Sequence, residues 1–209
     1  MTALIIAALV FFWAVGAYNR LVRLRAACAQ QFAVVDAQFV RLWAWVQGSL
    51  PASVRDEEVA LDKAATDKAG TDKAATDKAG ADKGGADKAP TSLTEVWSAC
   101  EVFAESLAQV RVNPLAAAPI QRVNIARVQL FKLLRQEKDF HAADETSWFS
   151  APLQKKFERL KTQAWPMMVA YNQTVQTYND AVSEWPARWL ARQFRFEAAA
   201  KLDSADPLA

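Results

Sequence analysis

The sequence predicts an all-α protein, a transmembrane helix that continues into an antiparallel four-helix bundle. Three observations predict it. Residues 3–18, ALIIAALVFFWAVGAY, carry no charge. Four later stretches place apolar residues at alternating steps of three and four, the period of a helix that buries one face. The dipeptide Tyr-Asn follows that period as well, at Tyr171-Asn172 and Tyr178-Asn179, with a third copy at Tyr18-Asn19. These are the only three tyrosines in the chain.

Within the leader, residues 1–18, the uncharged run 3–18 spans roughly 25 Å at 1.5 Å per residue, a little short of the ~30 Å hydrocarbon core. Leu21, Val22 and Leu24 prolong its apolar surface, and Arg20 and Arg23 can snorkel. Trp13 and Tyr18 suit a membrane interface. A cleaved signal peptide would need a positive segment before the apolar run and a small-residue cleavage site after it. No Lys or Arg precedes the run, and Tyr18-Asn19-Arg20-Leu21 follows it, so an uncleaved anchor is expected. Arg20, Arg23 and Arg25 lie after the span, which puts the N-terminus outside and the rest of the chain in the cytoplasm.

Residues 19–51 form the first bundle helix. Its stripe is Leu21, Leu24, Cys28, Phe32, Val35, Phe39, Leu42 and Val46, and no Pro or Gly interrupts it before Gly48 and Pro51. Residues 52–90 change character, with Asp-Lys at 62, 67, 72, 77, 82 and 87. A period of five turns roughly 140° per repeat and forms no fixed helical face. No apolar residue larger than Ala occurs in the repeat, so burial cannot offset the entropy of ordering it, and a disordered loop is expected.

Residues 91–202 hold three further helices and an amphipathic C-terminal segment. Ser92-Leu93-Thr94-Glu95 reads as a capping box. Leu93, Val96, Cys100, Phe103, Leu107 and Val110 follow in phase, and the helix should end near Asn113-Pro114. The third helix starts near Pro119 with Ile120, Val123, Arg127, Leu130 and Leu134 on its face, and fades by Lys138. Ser150-Ala151-Pro152 opens the fourth. Its seam is Leu153, Phe157, Leu160, Ala164, Met168, Tyr171, Val175, Tyr178, Val182 and Trp185. Tyr171, Tyr178 and Trp185 share one heptad column, and Met168, Val175 and Val182 the other. Asn172 and Asn179 flank the seam, where an Asn can hydrogen-bond across to a neighbouring helix. Pro166 should kink this helix, and Pro186 should end it or kink it again.

In an up-and-down order the end of the fourth helix returns toward the membrane, near Tyr18-Asn19. Residues 187–202, ARWLARQFRFEAAAKL, alternate Trp189, Leu190, Phe194 and Phe196 with Arg188, Arg192 and Arg195. They suit either an anionic membrane surface or a last helix packed back on the bundle, the second being preferred. Residues 203–209 read as a frayed tail.

Charge and composition narrow the function classes. Net charge is +2 and no basic stripe interleaves with aromatics, so a nucleic-acid partner is not expected. Cys28 and Cys100 fall in apolar stripes and read as buried hydrophobes, not as a disulfide, metal or redox pair. His141 is the sole histidine, in a polar loop, which leaves neither a catalytic triad nor a di-iron bundle. Asp56, Glu57 and Glu58 stand where nothing raises a pKa. No phosphate-binding glycine loop occurs. No catalytic residue, cofactor or metal is therefore expected.

Taken together, Tyr18-Asn19-Arg20-Leu21-Val22, Phe32, Asp36 and the run Tyr171-Asn172-x-x-Val175-x-x-Tyr178-Asn179-x-x-Val182 closed by Trp185-Pro186 resemble the LemA family of bacterial membrane proteins. The resemblance covers residues 3 to about 50 and 119 to 200. The Asp-Lys stretch looks like an insertion. Arg41-Leu42-Trp43-Ala44-Trp45 stands where the family has a paired Arg and a Leu-Ile-Pro run, as in a divergent member. The resemblance implies a single-span, N-out helical protein and no enzymatic activity. Expected partners are the lipid bilayer and other membrane or cytoplasmic proteins, with a homo-oligomer as a further option. The residues expected to make these contacts are Tyr18, Asn19, Arg20, Tyr171, Asn172, Tyr178, Asn179, Trp185, Pro186, Arg188, Trp189 and Arg192.

Overall fold

The computed structural model describes residues 1–51, 93–140 and 148–203, and these fold into five helices with no strand among them. They are α1 (Thr2–Ser49), α2 (Leu93–Val112), α3 (Ala117–Phe140), α4 (Ala151–Ser183) and α5 (Ala187–Gln193). The Asp-Lys repeat, Ser92, the acidic triplet at 56–58, His141 and residues 204–209 lie outside the described residues.

One helix, α1, does two physically different jobs. Over its first part the apolar side chains face outward, and Phe12 is 73 % exposed. Twenty residues further on Phe32 is 2 % exposed. The change begins at Leu21, the first buried residue, and the stripe Leu21, Cys28, Phe32, Val35, Phe39, Leu42 and Val46 is buried as its spacing predicts. Among the described residues only α1 is long and apolar enough to cross a membrane, and none of its most apolar window is buried against the rest of the chain.

Side-chain pairs give the directions of the neighbours. Arg20, Phe32 and Trp45 of α1 meet Glu184, the C-cap of α4, and Tyr171 and Phe157 within it, so the two helices run in opposite senses. Phe39 packs edge-on against Phe103 of α2 at 5.7 Å between centroids. The Arg111 guanidinium donates to both carboxylate oxygens of Asp36, at 2.9 and 3.1 Å, near the other end of α2. Phe131 of α3 packs against Phe157 at 5.2 Å, and Arg127 reaches Met168. These contacts join into a single core that contains every helix.

Helix ends follow local chemistry closely. Leu93 opens α2, and α2 closes at Val112 just before Asn113-Pro114. Ser150 is the N-cap of α4, with Pro152 in the first turn where a missing N–H costs nothing. Pro166 donates nothing to the Thr162 carbonyl, yet α4 continues through it as one helix to Ser183.

Three expectations fail at the C-terminus. Trp185 is not the end of the α4 seam, because α4 stops two residues earlier and the indole is 85 % exposed. Residues 187–202 are not one helix. Only Ala187–Gln193 is helical; Phe194 and Arg195 turn the chain, and from Phe196 to Asp203 it has no regular secondary structure, with Phe196, Ala199 and Leu202 buried. Asp203, expected in a frayed tail, is held through its backbone N–H by Asn124.

The core also holds four groups that burial keeps neutral. Burial pushes the Cys28 thiol from its ordinary 9.0 to about 11 and the Cys100 thiol to about 12. It raises the phenols of Tyr171 and Tyr178 in the same direction. A folded-state pKa above the unfolded value adds stability below the unfolded pKa, and that contribution is lost as pH rises toward the folded one. Stability in detergent should hold up to about pH 8, near the ordinary thiol range, and decline steadily through pH 9 to 11. Chemical denaturation followed by circular dichroism at stepped pH checks this. Thiol reagent should label both cysteines only after unfolding, and rapid labelling of the native protein would contradict their burial.

Candidate functional site

The two Tyr-Asn pairs of α4 are built to hold a backbone. Seven residues of helix advance roughly 10.5 Å, and three residues of extended chain advance about 10 Å. Side chains at 172 and 179 therefore meet every third residue of a strand laid along the helix. The segment from Phe196 to Asp203, without regular secondary structure of its own, is laid along α4 in that register. Asn172 donates from Nδ2 to the Leu202 carbonyl at 2.7 Å and accepts the Leu202 N–H on Oδ1 at 2.9 Å. Asn179 repeats the arrangement with Ala199, donating at 2.9 Å and accepting at 2.8 Å. Each carboxamide thus pairs with both polar groups of one residue, as a neighbouring strand would.

The tyrosines use the same register. Tyr171 donates to the Ala200 carbonyl at 3.0 Å and Tyr178 to the Glu197 carbonyl at 2.9 Å, again three residues apart. Both rings are buried in the bundle, with Tyr171 edge-on to Phe32. The rings fix the hydroxyls and the adjacent asparagines, and the strap receives its hydrogen bonds from a rigid rail.

Other elements complete the clasp. Asn124 of α3 accepts the Asp203 N–H at 3.0 Å and lies 3.5 Å from the Lys201 carbonyl. Arg127, 4 % exposed, donates to the Asp203 carbonyl and lies over the Phe131 ring. Leu115, in the connection between α2 and α3, accepts the Ala200 N–H at 3.4 Å. The strap thus crosses α4, α3 and the 113–116 turn, and ties three separate parts of the chain together.

The strap is aimed at this rail by the end of α5. The Phe196 N–H reaches back to the Ala191 carbonyl and the Arg195 N–H to the Arg192 carbonyl. With Arg195 at φ 54°, this is a Schellman turn whose left-handed residue is an arginine, not the usual glycine. Phe194 and Phe196 then flank the Tyr18 ring, at 5.0 and 5.8 Å between centroids. The third Tyr-Asn pair joins the same strap through its ring, while Asn19 is exposed on α1.

Of the twelve residues named from the sequence, Tyr18, Tyr171, Asn172, Tyr178 and Asn179 converge on the strap. Asn172 and Asn179 bond to extended chain, not to a neighbouring helix. Arg20 pairs loosely with Glu184 at 3.7 Å. Trp185, Arg188, Trp189 and Arg192 are exposed around α5, and Pro186 is its N-cap after a cis peptide bond. Asn124 and Gln176, which binds Lys201, were not legible as partners of the strap. Arg127 carried a signal, being an arginine within an apolar stripe.

Chemically the arrangement recognises main chain. Every hydrogen bond described to the strap goes to a backbone N–H or carbonyl, except the Gln176–Lys201 bond. Among the described residues no group of three or more His, Cys, Asp or Glu could hold a metal ion. No protein-family model, curated protein or solved structure matches the chain.

Replacing Asn172 or Asn179 with Ala should cost about 1–3 kcal/mol each, since two backbone groups lose their partners. Amide exchange should accelerate at Leu202 first in Asn172→Ala and at Ala199 first in Asn179→Ala. Equal acceleration at both positions in both variants would contradict separate pairing. Arg195→Gly should stabilise the protein by about 0.5–1 kcal/mol by removing the left-handed strain, as read from its thermal midpoint.

Proposed function

We propose that this chain is a membrane-anchored interaction protein of the LemA type. In this reading α1 crosses a bacterial inner membrane from an outside N-terminus. Its cytoplasmic continuation forms an antiparallel four-helix bundle with α2, α3 and α4, and the assembly serves as a scaffold without catalysis. The single observation that carries the reading is the division of α1 at Leu21, with exposed apolar residues before it and a fully packed stripe after it. A long apolar surface that nothing in the chain covers is costly in water and stable in a bilayer. The opposed pairings of α1 with α4, α1 with α2 and α3 with α4 support the bundle. Arg20, Arg23 and Arg25 support the orientation.

The interaction role follows from what the bundle offers a partner. Among the described residues the conspicuous polar machinery holds the chain's own backbone, and both thiols are buried. A second reading, an anionic-lipid module, is favoured by one observation. Exposed Trp185, Trp189 and Phe194 stand beside Arg188 and Arg192 at the end of the molecule where the apolar part of α1 begins.

Fusing reporters to the C-terminus of the full chain tests the topology. A fluorescent protein should fold there, and alkaline phosphatase should stay inactive, in bacterial cells. The opposite pattern would place the bundle outside and overturn the reading. In-cell crosslinking from exposed Val102 should trap a reproducible protein neighbour, and its repeated absence would count against a scaffold.

A further inference from the structure

The corner between α4 and α5 does not merely end the bundle near the span. It lies alongside the span's last turns. Trp13, Gly16, Ala17 and Arg20 of α1 line one cleft together with Trp185 and Pro186. Trp13 is five residues, about 7.5 Å, before Tyr18. Any bilayer that accommodates the apolar part of α1 up to Tyr18 must therefore bring its headgroup layer to this corner.

The corner's chemistry fits that layer. Trp185 is 85 % exposed, Trp189 71 % and Phe194 53 %, a concentration of bare aromatic surface that water disfavours. Indoles have an apolar body and one N–H donor, and they favour the boundary between headgroups and acyl chains. Arg188 and Arg192 are exposed on the same short helix, and Arg20 is exposed two residues beyond the span. Guanidinium groups beside such a boundary take phosphate oxygens in bidentate geometry. On the opposite face of α5, Leu190 and Ala191 are buried in the protein. The helix therefore has one side committed to the bundle and one side free.

We propose that α5 and its flanking turns form a collar that seats the bundle on the membrane. Trp185, Trp189 and Phe194 enter the headgroup layer, and Arg188 and Arg192 bind anionic phospholipid headgroups. The collar rests on the reading of α1 as a membrane span. It fixes the tilt of the bundle, because a single helix crossing the bilayer would otherwise leave the bundle free to swing. The strap ties the same corner to α3 and α4, so the lipid contact is transmitted to the whole domain.

Spin labels at Trp185→Cys, Trp189→Cys, Phe12→Cys and Val102→Cys in the full chain test it, with both native cysteines buried. The protein is reconstituted into phosphatidylcholine vesicles with or without phosphatidylglycerol. Accessibility to oxygen and to a water-soluble nickel chelate then reads depth. Val102 is exposed and next in sequence to Phe103, which packs on Phe39 about 30 Å along α1 from Tyr18, and its label should report water. The label at position 12 should report hydrocarbon, and those at 185 and 189 the headgroup layer. Phosphatidylglycerol should draw the last two deeper, and Arg188→Gln with Arg192→Gln should abolish that shift. Labels at 185 and 189 as wet as 102, with position 12 still deep, would overturn the collar and leave the span intact. A wet label at position 12 would overturn the span itself. Labels at 185 and 189 shielded from both reagents would mean that another protein covers the corner, and depth indifferent to phosphatidylglycerol would remove the anionic specificity; either result overturns the proposal.

Discussion

The structure depends on a match between two repeats. A helix advances in seven residues about as far as an extended chain advances in three. The pairs Tyr171-Asn172 and Tyr178-Asn179 exploit that coincidence to give α4 a ladder of side-chain amides and hydroxyls. The strap meets it with the main chain of Glu197, Ala199, Ala200 and Leu202. Without a partner, these backbone groups would be left unbonded beside the core, at about 1–3 kcal/mol for each lost pairing. With the rail, buried Phe196, Ala199 and Leu202 can enter the core from a segment that has no regular secondary structure of its own.

This clasp also explains how this end of the domain is closed. Helix α1 enters from its apolar part with no break, and the chain's last described residues return to the same level. Tyr18 lies between Phe194 and Phe196, Pro114 offers its carbonyl to Tyr171 at 3.4 Å, and Arg127 closes on Asp203. The strap also carries position from α5 into α3 and α4. A corner pressed against a surface would therefore orient the whole domain.

Much of this was legible beforehand. The stripe from Leu21 to Val46 and the phased residues from Val96 to Val110 are buried where their spacing puts them, because helix-to-helix packing obeys a simple period. Asn113-Pro114 and Ser150-Ala151-Pro152 marked real boundaries. The repeated Tyr-Asn marked the site, but not its occupant. Glu197-Ala-Ala-Ala-Lys201 is composed of strong helix formers, and local preference favours a helix there. Tertiary pairing overrides that preference, since Asn172 and Asn179 satisfy the backbone that a helix would have satisfied internally. Trp185 continued the heptad column on paper, but α4 had already ended at Ser183, and a period cannot report where the helix stops. Asn124 was silent because one asparagine on a helix has no pattern.

The most direct test is detection of the amide pairing itself. Solid-state magnetic resonance on the full chain in lipid, with asparagine and alanine labelled, can correlate the Asn179 side-chain nitrogen with the Ala199 carbonyl. The same spectrum can correlate the Ala199 amide with the Asn179 side-chain carbonyl carbon. Both cross-peaks should appear at short mixing, with helical backbone chemical shifts for Asn179 and extended ones for Ala199. Helical shifts at Ala199, or the absence of both correlations while neighbouring helical contacts are seen, would contradict the clasp.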